Sequence, residues 1–229
     1  MINQLTQYQK PPMKKITTFW NYFQKNEQEI INAFLLGINT DEICSQFIKK
    51  LNSVSKRIGY EITKPSNNQD KCRIIFTAYG YRKLFPKIIA LEEQAPHLEH
   101  FTVQAFIKPF DDVEKYRNGT DDPIFYANYQ IKISELQMAL ADYNIATKQL
   151  KINVYLPEYN EIKHYDDLEY EIDWIVMLIV GEIAFRKHIK QILLAPLLQS
   201  SSGLLSLIEL PDYIEYLYKI NSRKKTRQV

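Results

Sequence analysis

From Thr17 onward the apolar positions fall three and four residues apart. Phe19, Phe23, Ile30 and Phe34 mark one stripe through TTFWNYFQKNEQEIINAFLLG. Ile43, Phe47, Ile48, Leu51, Val54 and Ile58 mark another through NTDEICSQFIKKLNSVSKRIG. That period buries one face of a helix, so each segment predicts one. Thr17 or Thr18 is the cap candidate of the first helix, and Gly37 stops it. Thr40 is the cap candidate of the second, Asp41 and Glu42 occupy its first turn where the helix dipole favours acids, and Gly59 ends it.

The period then shortens to two. YEIT and CRIIFTAYG read as strands of a hairpin joined through the turn cluster PSNNQDK. RKLFPKIIALEEQAP reads as a third helix, entered near Pro86 and ended at Pro96, and HFTVQAFIKPF as another strand. DDVEKYRNGTDDP is a charged surface loop. Residues 124–156 divide into short extended pieces, the clearest being LKINVYLP, with Leu150, Ile152, Val154 and Leu156 on one face. HYDDLEYEIDWIVMLIVGEIAFRKHIKQILLAP reads as one long helix, SSSG as a loop, LLSLIEL as a strand, and PDYIEYLYKI as a last helix with Pro211 in its first turn.

This order is not a strict β-α-β alternation, which disfavours a parallel doubly wound sheet. It predicts an α+β fold: a mostly antiparallel sheet with helices packed on one face and a long central C-terminal helix. No internal repeat or low-complexity linker interrupts the chain. The organisation expected is a flexible arm over 1–13, a single domain over 14–220 and a basic disordered tail over 221–229.

WIVMLIVGEIAF, Trp174 to Phe185, is the most apolar run. Its 12 residues would cover about 18 Å of a hydrocarbon core about 30 Å thick. Asp173 precedes it and Arg186, Lys187 and His188 follow, so a buried core helix is expected rather than a membrane span. At 100° per residue Ile175, Leu178, Ile179, Glu182 and Arg186 share one side. A partly buried Glu182 then has two readings. It anchors the helix through Arg186, four residues on in the favourable order, or through a neighbouring loop. Alternatively it is a carboxylate of raised pKa in a pocket, a general acid or base, with Arg186 or Trp20 beside it.

Composition narrows the classes. The 229 residues carry a net charge of +2, too balanced for a general nucleic-acid or membrane-surface binder. Only 6 glycines are present, and no G-x-S-x-G, G-x-x-x-x-G-K-[ST] or G-x-G-x-x-G occurs. With 16 Tyr and 11 Phe, an exposed aromatic patch is within reach. Cys44 and Cys72 form no C-x-x-C and read as free thiols of a reducing compartment. Cys44, near a helix start, has a thiolate-stabilising position but lies beside the apolar face. The first residues, MINQLTQYQKPPMKK, show no secretory apolar core, so NGT at 118–120 reads as a turn and the location expected is cytoplasmic.

HLEH places His97 and His100 three residues apart at a turn. They are the candidate metal ligands, but a zinc cage needs more, and the pattern is neither H-E-x-x-H nor H-x-x-E-H. Surface histidines are the simpler reading, and no metal or cofactor is assigned. The adjacent acid pairs Asp111-Asp112, Asp121-Asp122 and Asp166-Asp167 read as solvated loops and a helix start. Arg223, Lys224, Lys225 and Arg227 in the tail offer a weak phosphate-contacting reading.

Together, FWNYFQKNEQEI, GYEIT, RIIFTAYG, FPKIIALEEQAPHLEHFTVQAFIKP and the late VGE resemble a family of uncharacterised bacterial proteins of Bacteroidetes type. Its members pair an FWxWF helical start with a strand ending in TAdG, a helix ending in AP and a strand ending in AFkpp. The resemblance covers roughly residues 17–110 and 150–210. Trp20, Gly80, Pro96, Pro109 and Glu182 match the pattern, whereas Tyr79 replaces a small polar or acidic residue and the histidines are not a hallmark. The family has no established activity, so the resemblance implies a fold group and little more. The expected function is a soluble protein-binding or accessory module, immunity-like in the sense of neutralising a toxin, without catalysis. The alternative is an enzyme of unrecognised type built around Glu182. Self-association stays open.

Overall fold

The computed structural model describes residues 11–65, 70–126, 128–197 and 202–226, and side chains as far as Asn221. The fold is α+β. Within the span read as one domain the chain forms two compact units, Met1–Ile107 and Lys108–Val229, each with its own core.

In the first unit, helices α1 (Met13–Lys25), α2 (Glu27–Leu36) and α3 (Thr40–Val54) precede a hairpin of β1 (Gly59–Thr63) and β2 (Cys72–Thr77). Helix α4 (Phe85–Glu93) then crosses to β3 (Phe101–Ala105). β1 runs antiparallel to β2, and β3 parallel to it. The first predicted helix is two helices. Asn26 leaves helical geometry, with φ −125°, and its Nδ2 donates to the Tyr22 carbonyl at 2.6 Å. A side chain competing for backbone groups is the usual reason asparagine interrupts a helix. Thr17 and Thr18 are not caps: they lie inside α1 and donate back to the carbonyls of Met13 and Lys14. Thr40 likewise sits in the first turn of α3, after Asn39. Gly37, with φ 70°, ends α2 as expected.

Phe19 centres this core. Its ring lies 5.0 Å from Trp20, 5.9 Å from Phe23, 5.6 Å from Phe47 and 5.8 Å from Phe76. Such edge and tilted contacts add to the burial of the rings themselves.

The second unit holds α5 (Glu114–Arg117), β4 (Ile124–Tyr126), β5 (Tyr129–Ile131), β6 (Gln137–Asn144), β7 (Gln149–Leu156) and α6 (Tyr159–Ile162). There follow α7 (Leu168–Val180), α8 (Glu182–His188), β8 (Ile189–Pro196), β9 (Leu205–Ser206) and α9 (Leu210–Thr226). Among the described residues β4 and β5 pair only with each other; the larger sheet has the order β8-β7-β6-β9. β6 and β7 are antiparallel, and β8 joins β7 in parallel. Each unit thus repeats one connection: an antiparallel hairpin, then a helical crossover to a strand parallel with the second. β7 alternates half-buried and buried along its length, so one face of this sheet carries the core.

The long helix expected over 164–196 is corrected to α7, α8 and a strand. Gly181 breaks it, at φ 80° and ψ 148°, a region essentially reserved for glycine. Beyond α8 the chain pairs with β7 from Leu150↔Ile189 to Leu156↔Pro196, and this ladder outweighs the helical spacing. LLSLIEL keeps only Leu205–Ser206 as strand. α9 continues through Thr226, into the segment read as a disordered tail. The rest of that tail, 227–229, and the arm up to residue 10 lie outside the described residues.

Candidate functional site

β8 stands at one end of its sheet, so its outer edge has no strand beside it among the described residues. The register fixes which groups face outward. The Leu197 N–H donates to the Leu156 carbonyl at 2.9 Å. Because a parallel strand points alternate residues at its partner, Leu193 and Ala195 turn their amides to β7, and Ile192 and Leu194 turn theirs away. Pro196 shares the outward phase and has no N–H to offer.

A cavity of about 750 Å³ runs along this edge. Lys163, Asp166, Glu169 and Asp173 line it from the α6–α7 side, Arg186 comes from α8, and Lys190 from the start of β8. Phe185 and Leu193 give it apolar surface. Among the described residues the ion pairs of this unit, Arg117 with Glu114 and Asp212, and Lys219 with Glu215, involve none of these six charges. Desolvation, reinforced by Glu169 one turn away, pushes the Asp173 carboxyl above its ordinary range, although the side chain keeps solvent contact.

The break at Gly181 parts Glu182 and Arg186 from Ile175, Leu178 and Ile179; the two remain together on α8, yet only one of them reaches the cavity. Glu182 is fully buried, whereas Arg186 is exposed and lines the cavity. Glu182 is not part of that lining. Trp20 is a core residue of the first unit, its Nε1 donating to the Leu91 carbonyl at 2.9 Å. Cys44 is not activated by its helix start: burial and Asp41 both push its thiol up.

His97 and His100 belong to a turn held by backbone bonds. Glu27, buried in α2, accepts from the Glu99 N–H at 3.2 Å and the His100 N–H at 2.7 Å. The His97 carbonyl accepts from Gln24. Among the described residues no three His, Cys, Asp or Glu side chains gather as metal ligands. Charged acceptors of backbone amides contribute roughly 1.5–3 kcal/mol per bond. Glu27→Ala is therefore expected to lower stability by roughly 2–3 kcal/mol in urea unfolding, with His97→Ala, an exposed position, nearly silent.

The acid pairs divide. Asp167 accepts a hydrogen bond from the Tyr126 hydroxyl, and burial together with that carboxylate pushes the phenol above its usual range. Asp121 is buried and accepts from the Ser134 N–H at 3.3 Å.

His188, which the sequence did not single out, ends α8 buried, with Nδ1 donating to the Lys148 carbonyl at 3.2 Å. Burial pushes its pKa down; the bond to Lys148 O opposes, and the Lys187 and Lys148 charges add to the fall. In the unfolded chain it takes a proton first, near pH 6.5. Above that pH neither state is charged and nothing is lost. As pH falls through and below it, stability declines, because the folded state resists the proton. Urea midpoints between about pH 7.5 and about pH 5.5 should fall less in His188→Gln than in the parent chain.

Among the described residues no helix is long and apolar enough to cross a membrane. No protein-family model, no curated protein and no solved structure matches this chain.

Proposed function

We propose that this chain is a protein-binding module of accessory or neutralising kind, acting without catalysis through the cleft beside β8. The observation that carries the reading is the open strand edge lying along a cavity whose charges are not paired with one another. Strand edges of this sort are normally blunted or covered, and one left beside a shaped cavity suits a partner chain. A reducing, cytoplasmic location fits the free thiols Cys44 and Cys72. Kinship with the Bacteroidetes-type family belongs to the same proposal. Its TAdG position begins on the last residue of β2, Thr77, and its AP position follows α4. The enzymatic alternative needs Glu182 at a concave surface, and Glu182 is fully buried.

The test is recovery of the tagged protein from its native cell extract, beside the double variant Arg186→Glu/Lys190→Glu. Both side chains are exposed, so the variant should fold as the parent does. The parent is expected to retain a stoichiometric protein through a high-salt wash, and the variant to lose it. Equal retention by both would remove the cleft from the reading; a parent that emerges alone would remove the reading itself.

A further inference from the structure

Resting on that reading, we propose that the cleft takes an extended segment of the partner as an added strand beside β8, and that this segment places a lysine or arginine over Glu169 and Asp173.

The backbone supplies the first half. β8 is eight residues long, matching β6 and β7. Its protective features sit at the ends: a register irregularity with Lys190 at the start, and Pro196 at the finish. Between them the N–H and C=O groups of Ile192 and Leu194 point away from β7, spaced as an incoming strand requires. A compact ligand would meet the charges of the cavity yet leave that row of amides unmatched, whereas an extended chain satisfies both. Leu193, 41% exposed, offers an apolar contact on the alternate phase.

Charge supplies the second half. Glu169 and Asp173 are four residues apart on α7 and line the same cavity. Like charges at that spacing disfavour a helix, and neither belongs to an ion pair among the described residues. Asp166 adds a third acid to the same side. A cationic side chain delivered by the bound segment relieves this repulsion, while Arg186 and Lys190 are left to meet an acidic neighbour on the same segment. Three acids beside the edge also speak against a nucleic-acid backbone as the occupant.

The experiment uses the full chain and a displayed library of random short peptides. Enriched peptides should carry Lys or Arg and should compete for one site. N-methylation at alternate residues of a selected peptide should weaken it roughly ten-fold on one phase and little on the other. Glu169→Lys/Asp173→Lys, two exposed positions, should weaken basic peptides by a similar factor and shift selection toward acidic ones. Peptides that are lost on Arg186→Glu yet indifferent to N-methylation would overturn strand addition while leaving the cleft as the binding site. No enrichment at the cleft would overturn both. A dimer in light scattering that Ile192→Pro abolishes would assign the edge to a second copy of the chain and overturn the proposal.

Discussion

Gly181→Ala is expected to lower stability by roughly 3 kcal/mol or more, seen as a large fall in urea midpoint. Two costs combine. The φ of 80° and ψ of 148° lie where a side chain is strained by roughly 1–3 kcal/mol. A Cβ would also stand 2.8 Å from Pro109 Cδ and 3.2 Å from its Cγ, and a proline ring yields little. Overpacking of this kind costs roughly 1–3 kcal/mol more. Gly119 is the control: its φ is +69°, but nothing lies within 4 Å of an added Cβ, so Gly119→Ala should cost only about 1 kcal/mol. The effect reaches function as well. Gly181 sets the direction of α8, and α8 carries Arg186 to the cavity and leads directly into β8. Peptide binding should weaken in Gly181→Ala even where the protein is still folded.

Phe19→Ala is expected to cost about 3–5 kcal/mol, comparable to the glycine variant but through packing alone. Phe19 is fully buried and touches four other aromatic rings, so truncation leaves a cavity whose rigid walls collapse poorly. Phe19→Leu keeps most of the volume and should cost about 1–1.5 kcal/mol. Phe125, 75% exposed, gives the contrast: Phe125→Ala should stay within about 0.5 kcal/mol of the parent. Calorimetry on the three variants tests the ranking. A Phe19→Ala protein as stable as Phe125→Ala would mean that the aromatic cluster does not hold the first unit together.

Much of the first unit was legible from periodicity. The stripe through Phe19, Phe23 and Ile30 forms its core, and the hairpin around PSNNQDK pairs from Gly59↔Thr77 to Thr63↔Arg73. What local pattern missed was decided by tertiary structure. Ile189–Pro196 carries helical spacing but becomes a strand, because β7 is there to receive it. Gly181 was visible as a glycine inside an apolar run, and isolated glycines in helical patterns are tolerated often enough to mislead. Its neighbour Pro109 lies far back in the sequence, so nothing local announced the close approach.

The candidate site was legible only in part. Arg186, a candidate from the sequence, lines the cavity; Glu182, four residues before it on the same α8, is fully buried and outside the lining. Glu169 and Asp173 are spaced as one helix face, but their significance depends on the strand edge opposite, which sequence spacing does not reveal.

Amide hydrogen exchange of β8 in the isolated protein is the most direct test that its outer edge is open for docking. The N–H groups of Leu193 and Ala195, bonded to β7, should exchange slowly, and those of Ile192 and Leu194 should exchange fast, giving an alternating pattern. Slow exchange at all four would mean that the edge is already covered in solution and that the docking surface does not exist.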